Sequence, residues 1–240
     1  MYENLQNINL TKYLNECCGG QDWVNERWLR ALDKFVGELS DENKDILKAR
    51  INIIQSHLQT NDIINEIMIA CAYHPRANFL SEGKTLSYDM FDKSVNLKIE
   101  VKSLNEGIDE QVRHESDSFV GQAPLLPESE ENNEICGMRN AITKKCKDHI
   151  EKAIKQVDEN GKIYFVYDYN LFTSKNIGTK HLPNYVNTRV SPLSQDDVKN
   201  IINNCWGDFQ NHYANVKFKA IYFGDLRSEV GGTIFHDESM

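Results

Sequence analysis

The segment TLSYDMFDKSVNLKIEVKSLN, residues 85–105, has the pattern of two β-strands joined by a tight turn. In its second half apolar and charged residues alternate, so Ile99 and Val101 share one side of a strand, and Glu100 and Lys102 share the other. A strand with one apolar and one charged side covers a core while presenting polar groups at its other face. The segment therefore predicts a hairpin that carries a charged cluster.

Asp89 precedes the turn at a distance that brings it opposite or near Glu100 when the two strands pair. Cross-strand neighbours have Cβ atoms about 4.5–5.5 Å apart, so the two carboxylates repel each other unless a cation lies between them. Mg²⁺ prefers oxygen ligands and keeps several waters, which suits two acids on a sheet edge. Lys102, two residues beyond Glu100 on the same face, can stabilise or deprotonate a metal-bound water. Asp92 is the rival to Asp89, but its position in the turn favours local hydrogen bonding.

The segments around this hairpin predict an α/β fold. Helices are predicted at 23–39, 41–58, 63–74, 138–157 and 194–206, and strands at 78–83, 84–91, 97–104, 162–172 and 216–226. Ser40 is expected to cap the second helix, and Asn61 or Asp62 the third. From residue 61 onward the order is helix, strands in a meander, helix, strand, helix, strand. We therefore expect an N-terminal helical extension over residues 1–60 and an α/β domain over residues 61–240.

A polar tract over residues 105–134 is predicted to be a mobile acidic loop. It contains nine acidic residues and, as its only arginine or lysine, Arg113. Such composition disfavours a packed core. Two interpretations remain open, a lid over the site and an insertion without function.

Asp89, ten intervening residues and Glu100-Val101-Lys102 resemble the signature of the PD-(D/E)XK nuclease superfamily. The family has the restriction-endonuclease-like fold, whose core is helix, three-stranded meander, helix, strand. The resemblance implies that Asp89 and Glu100 hold Mg²⁺, with Mn²⁺ as a substitute. It also implies that the carbonyl of Val101 adds a ligand and that Lys102 assists the attacking water.

Glu66 matches a further position of that family, a glutamate on the first core helix near the metal. It is the only charged residue between Ile63 and Tyr73 in the predicted helix, and a buried charge requires a partner. The sequence departs from the family at Tyr88, where the family name implies proline. The resemblance covers about 110 residues and leaves residues 1–60 and those after about 173 unexplained.

The predicted helix 138–157 carries a local basic strip in an otherwise acidic protein. The net charge of the chain is −9, which disfavours a broad basic surface for nucleic acid. The candidate phosphate-binding residues on this helix are Arg139, Lys144, Lys145 and Lys152. A solvated helix face explains the same lysines equally well, and His149 is expected to be packed rather than catalytic.

Cysteine usage and the N-terminal sequence predict a cytoplasmic protein. The six cysteines include no CxxC pair, and no basic start followed by an apolar stretch marks a secretory signal. The one near-cluster, Cys136, Cys146 and His149, lacks a fourth zinc ligand. Buried packing is the preferred role of most of the cysteines.

The sequence thus predicts a Mg²⁺-dependent endonuclease, acting on DNA rather than RNA and working as a homodimer by analogy with restriction or phage-defence enzymes. GxSxG, P-loop, GxGxxG and HExxH motifs do not occur in the sequence. Two alternatives remain. One is a catalytically inactive nuclease-like module that binds nucleic acid or a partner protein. The other is an interaction domain in which Glu100 and Lys102 form an exposed ion-paired face.

Overall fold

The computed structural model describes residues 2–12, 26–53, 57–81, 88–104, 128–157, 161–167, 195–210, 217–223 and 233–235. These residues form an α/β fold with one six-stranded sheet and helices on both of its faces. The predicted α/β class is therefore confirmed.

The helices begin and end close to where local sequence signals place them. In chain order they are α1 (Glu3–Asn7), α2 (Glu26–Glu38), α3 (Asp41–Asn52), α4 (His57–Tyr73), α5 (Glu128–Val157) and α6 (Gln195–Gln210). Ser40 caps α3 as predicted, since its hydroxyl accepts the N–H of Asn43 at 3.3 Å. The predicted cap of α4 at Asn61 or Asp62 is wrong, because that helix begins at His57. None of the helices in the described ranges is long and apolar enough to span a bilayer.

The six strands lie in the sheet in chain order. They are β1 (Ala77–Phe79), β2 (Met90–Asp92), β3 (Leu97–Ser103), β4 (Gly161–Tyr167), β5 (Lys217–Phe223) and β6 (Thr233–Phe235). The first three strands form an antiparallel meander, and β6 pairs antiparallel with β5. The pairs β3–β4 and β4–β5 are parallel, and α5 and α6 lie in the two connections that parallel pairing requires. Strand β6 is not predicted from the sequence. Residues 82–87, which the predicted first and second strands include, lie outside the described residues.

The turn between β2 and β3 is stabilised by its own side chains. Asp92 Oδ1 accepts the N–H of Ser94 at 2.9 Å and its hydroxyl at 2.6 Å. Asn96 adopts a positive φ of 51°, a conformation that asparagine tolerates better than most residues. This turn sets the register in which Met90 lies opposite Ile99.

Two apolar cores cover the two faces of the sheet. The first joins the N-terminal helices and α4 to one face, with Leu5, Leu32, Leu47, Ile67, Met90, Ile99, Val101 and Tyr164 among its buried residues. The second joins α5 and α6 to the other face, with Ile142, Cys146, Ile150, Val198, Ile202, Ile163 and Phe165 among its members. The alternation along β3 thus has the predicted effect, since Ile99 and Val101 face the first core.

The passage from α5 into β4 requires a glycine. A Cβ added to Gly161 would lie 1.9 Å from the Cβ of Val157, the last residue of α5, which is far too close for any side chain. The start of β4 therefore lies directly against the end of α5. This close approach fixes the height of α5 above β3 and β4, and so the position of the polar face of that helix.

Two predicted boundaries differ from the structure. Residues 128–134, predicted as part of the acidic loop, form the first turns of α5. Acidic side chains near a helix N-terminus interact favourably with the helix dipole, so the charges that suggested a loop are compatible with a helix start. Residues 105–127 lie outside the described residues. The division predicted at residue 60 falls inside α4, and helices from both sides of it share the first core.

Candidate active site

Asp89 and Glu100 are neighbours where the pairing of β2 with β3 ends. Met90 and Ile99 form the last pair of that antiparallel register, Asp89 and Glu100 are the residues next to them, and the charge of Asp89 acts on the Glu100 carboxyl. The N–H of Asp89 donates to the carbonyl of Ile99 at 3.1 Å, and Asp89 Oδ2 accepts the N–H of Val101 at 2.7 Å. These two hydrogen bonds fix the Asp89 carboxyl against the backbone of β3.

Lys102 forms an ion pair with one of these two acids, Glu100. Its ammonium contacts Glu100 Oε1. Glu100 is only 1% exposed, and its Oε2 is buried with no hydrogen-bond partner. The prediction that Glu100 and Lys102 form an exposed ion-paired face is therefore wrong. A buried carboxylate oxygen without a partner is costly, and it marks a position where a ligand or proton would be stabilised.

Glu66 is held by an arginine that sequence reasoning did not single out. Arg50 of α3 binds it through both guanidinium nitrogens, with Nη2 donating to Oε1 at 2.8 Å and Nη1 lying 2.7 Å from Oε2. Both side chains are buried. The N-terminal helical region therefore contributes a charged residue to this cluster. The signal in the sequence was an arginine directly before Ile51 on the buried side of an amphipathic helix.

We expect Arg50→Met to destabilise the protein by about 3–5 kcal/mol, because it leaves the Glu66 carboxylate buried without its partner. Urea unfolding at pH 8 would measure the change in the free energy of unfolding. The double variant Arg50→Met/Glu66→Leu should recover most of the loss, and Lys48→Met on the exposed side of α3 serves as the control. A loss of the same size in the double variant would contradict the ion-pair explanation.

Asp62, one helical turn before Glu66, is a second residue that the sequence analysis missed. It forms a side-chain hydrogen bond with Ser103 at the end of β3, and Asn65 Nδ2 donates to the same hydroxyl at 3.0 Å. The charges of Asp89 and Lys102 act on the Asp62 carboxyl. The four-residue spacing from Glu66 was the available signal, but it was interpreted as a helix cap.

Burial and mutual repulsion hold protons on these acids. Burial, followed by the charge of Asp89, raises the pKa of Glu66 and that of Glu100 to about 8. Burial likewise raises the pKa of Asp89 and of Asp62. Burial alone would lower the pKa of Lys102, but the charges of Glu100 and Asp89 more than offset it and raise that pKa. The ammonium is therefore charged at neutral pH, while the carboxyls compete for protons.

We expect the metal-free protein to lose stability as the pH rises from about 5 to 8. Glu66 and Glu100 titrate near pH 4.3 when unfolded but have a pKa of about 8 when folded. Between these values the folded state binds more protons, so the free energy of unfolding decreases with pH. Urea unfolding in EDTA at three pH values would measure the slope. The slope should be shallower in Glu100→Gln, and a stability that rises across this range in the wild type would contradict the expectation.

Two of the basic residues of α5 bind acids on α6. Arg139 Nη2 donates to Asp197 Oδ1 at 2.7 Å, and Lys147 Nζ lies 2.9 Å from Asp208 Oδ2. Arg139 was predicted to contact nucleic acid, but in the structure its guanidinium is paired with Asp197. These two ion pairs lie across the contact between the helices, where they contribute to helix packing.

The other three candidate phosphate-binding lysines differ in their exposure and in the groups on which their charges act. Lys144 is exposed. Lys145 is half-buried, and its charge acts on the Asp62 carboxyl. Lys152 is exposed, and its charge acts on the imidazole of His149. The structure thus brings Lys145 towards the acidic cluster.

A second buried polar network lies away from this cluster. His74 Nδ1 is 3.1 Å from Asp92 Oδ2, and His74 Nε2 is 2.6 Å from the hydroxyl of Tyr164. All three side chains are buried. Asp92, the rival to Asp89, thus has its carboxylate bound by His74 and by the β2–β3 turn. The network connects the end of α4 to two strands and has a structural role.

Ready-made metal cages are not found in the described ranges, where no three histidine, cysteine, aspartate or glutamate side chains are grouped to hold an ion. The near-cluster of Cys136, Cys146 and His149 does not form a zinc site. Cys136 is exposed whereas Cys146 is buried, and ten residues of one helix separate them by about 15 Å. Any metal here would use few protein ligands together with water.

Comparison of the chain with protein-family models, with curated proteins and with solved structures finds no match. The function is therefore inferred from the geometry of the site. The central features of the site are the neighbouring acids Asp89 and Glu100, the adjoining Lys102 and the buried Glu100 Oε2, which has no hydrogen-bond partner.

Proposed function

We propose that this protein is a Mg²⁺-dependent endonuclease that hydrolyses phosphodiester bonds, with DNA as its expected substrate. The observation that carries the proposal is the interaction of the Asp89 and Glu100 carboxyls, with the Lys102 ammonium on Glu100. The order α4, β1–β3, α5, β4 supports a restriction-endonuclease-like core. Action as a homodimer, and in restriction or phage defence, is part of the same proposal by analogy.

The charges of the cluster favour a bound cation. Four carboxyls, those of Asp62, Glu66, Asp89 and Glu100, interact with three cations, Arg50, Lys102 and Lys145. If all were ionised, the cluster would carry one excess negative charge, which a bound cation would offset. Glu100 Oε2 supplies an unpaired oxygen for such an ion. Mg²⁺ needs only one or two carboxylates, because it retains several waters.

Each residue then has a defined chemical role. Asp89 and Glu100 would hold the ion, with the carbonyl of Val101 as the further ligand that the family resemblance implies. The resemblance also implies Glu66 as a ligand, but Arg50 already binds both of its carboxylate oxygens. Bound Mg²⁺ supplies Lewis acidity and neutralises the charge that develops as water attacks phosphorus in line. Lys102 lies next to Glu100, where its ammonium would orient the attacking water and stabilise negative charge on oxygen.

Cleavage assays test the proposal. Supercoiled plasmid, linear duplex, single-stranded DNA and RNA of the same sequence would be incubated with Mg²⁺, Mn²⁺, Ca²⁺ or EDTA. We expect DNA cleavage with Mg²⁺ and Mn²⁺ and none with EDTA. No cleavage of any substrate, or the same rate in Glu100→Gln, would contradict it.

A second candidate function is a nuclease-like module that binds nucleic acid or a partner protein without cleaving it. The observation in its favour is that Arg50 and Lys102 already neutralise Glu66 and Glu100 within the protein. Calorimetry separates the two functions. The binding module predicts no heat when Mg²⁺ or Mn²⁺ is added, and binding of nucleic acid without turnover.

A further inference from the structure

One face of α5 carries three nitrogen-bearing side chains beside the acidic cluster. Lys145, His149 and Lys152 are spaced by four and three residues, which places them on neighbouring turns of the same face. Helix α5 packs against β3, the strand that carries Lys102. Lys145 and His149 are half-buried, whereas Lys152 is exposed. The face thus runs from solvent towards the proposed active site.

His149 is the residue of this face that the rest of the fold leaves unexplained. Its Nε2 is buried and has no hydrogen-bond partner. Burial, followed by the charges of Lys145, Lys102 and Lys152, lowers the pKa of His149 to about 3. The imidazole is therefore neutral at physiological pH and has one N–H to donate. The site therefore offers one neutral N–H donor, that of His149, together with the ammonium groups of Lys145, Lys102 and Lys152.

Three nearby ammonium groups disfavour a metal cation at the imidazole and favour an anion. We propose that Lys145, His149 and Lys152, together with Lys102, form a phosphate subsite next to the Asp89–Glu100 pair. This inference rests on the proposed function, because the phosphate would belong to the nucleic-acid substrate. A phosphodiester oxygen would accept the N–H of His149, and the lysines would balance its charge. His149 is thus a binding residue, contrary to the expectation that it only packs.

Binding in the absence of metal tests the subsite separately from cleavage. Full-length protein labelled with ¹⁵N-histidine would be titrated in EDTA with inorganic phosphate and with a single-stranded oligonucleotide. His149→Gln identifies the His149 signal. We expect that signal to shift with both probes and its pKa to rise, because a bound phosphate stabilises the imidazolium against Lys145, Lys152 and Lys102.

Affinity for the oligonucleotide provides the second measurement. We expect His149→Leu to weaken binding about tenfold or more, since a hydrogen bond to a charged oxygen is lost. Lys145→Ala should reduce the slope of log K against log salt concentration by about 0.7, the value for one phosphate contact on a single strand. Lys48→Ala, at an exposed lysine of α3 on the other face of the sheet, should change neither quantity. Circular dichroism confirms that each variant is folded.

The possible outcomes separate this inference from the proposed function. No oligonucleotide binding at low salt, or binding with an unmoved His149 signal and unchanged affinity in His149→Leu, would overturn the subsite. If those results were obtained and the protein still cleaved DNA with Mg²⁺, the proposed nuclease function would hold without the subsite. The expected shifts without any cleavage would support the subsite and favour the non-catalytic module.

Discussion

Glu100→Gln is expected to lose Mg²⁺-dependent cleavage by about 10³-fold, since a catalytic cation contributes several kcal/mol to transition-state stabilisation. The same change should stabilise the metal-free protein at pH 8, because it removes one of two crowded, buried carboxylates. Initial rates on linear DNA and thermal unfolding in EDTA measure the two effects. The combination of lost activity and gained stability is characteristic of a metal-binding acid.

Glu151→Gln is the matched control for this variant. Glu151 is exposed on α5, so the same chemical change there should alter neither rate nor stability. A Glu100→Gln protein that cleaves DNA at the wild-type rate would show that the reaction occurs elsewhere. One that is less stable than wild type in EDTA would show that Glu100 serves as a structural ion pair.

Lys102→Met is expected to lower the cleavage rate by about 10²- to 10³-fold while Mg²⁺ still binds, because the ammonium acts on the reacting oxygen. Its effect on stability has the opposite sign to that of Glu100→Gln. Without the ammonium, Glu100 is buried without its cation, and the metal-free protein should lose about 2 kcal/mol. Saturating Mg²⁺ should restore much of that loss, since the ion takes over the charge balance.

Lys98→Met provides the comparison, since Lys98 lies on the same strand two residues from Glu100 and its ammonium is 5.5 Å from the centre of the Tyr88 ring. It should keep a cleavage rate within about threefold of wild type, as expected for a surface contact of small energy. Calorimetry with Mn²⁺ would determine whether Lys102→Met retains the metal. Loss of metal binding in that variant would mean that Lys102 organises the carboxylates and has no role of its own in the reaction.

The parts of the fold that follow from local patterns were predicted correctly. Alternation along β3 and the turn residues before it gave the hairpin, and the parallel neighbours β4 and β5 followed from apolar runs. The start of α5 was missed because residues 128–134 carry no apolar stripe. Strand β6 was missed since three residues are too few for a periodicity to be recognised.

The residues of the site likewise include some that local patterns identify and others that they do not. Asp89, Glu100 and Lys102 belong to one hairpin, so their proximity follows from a short stretch of sequence. Arg50 and Asp62 come from two helices, and their approach to the hairpin depends on helix packing that a single sequence does not encode locally. His149 was judged by its neighbours on the apolar stripe, whereas its unpaired nitrogen is evident only in three dimensions.

The position of a bound cation tests the account most directly. Crystals grown with Mn²⁺ would be measured for anomalous scattering, which locates the ion without reference to activity. We predict a peak about 2.1 Å from oxygens of both Asp89 and Glu100, with waters completing an octahedron and Lys102 moved off Glu100 Oε1. A map with no peak at these carboxylates, and Lys102 still on Glu100 at saturating Mn²⁺, would contradict it.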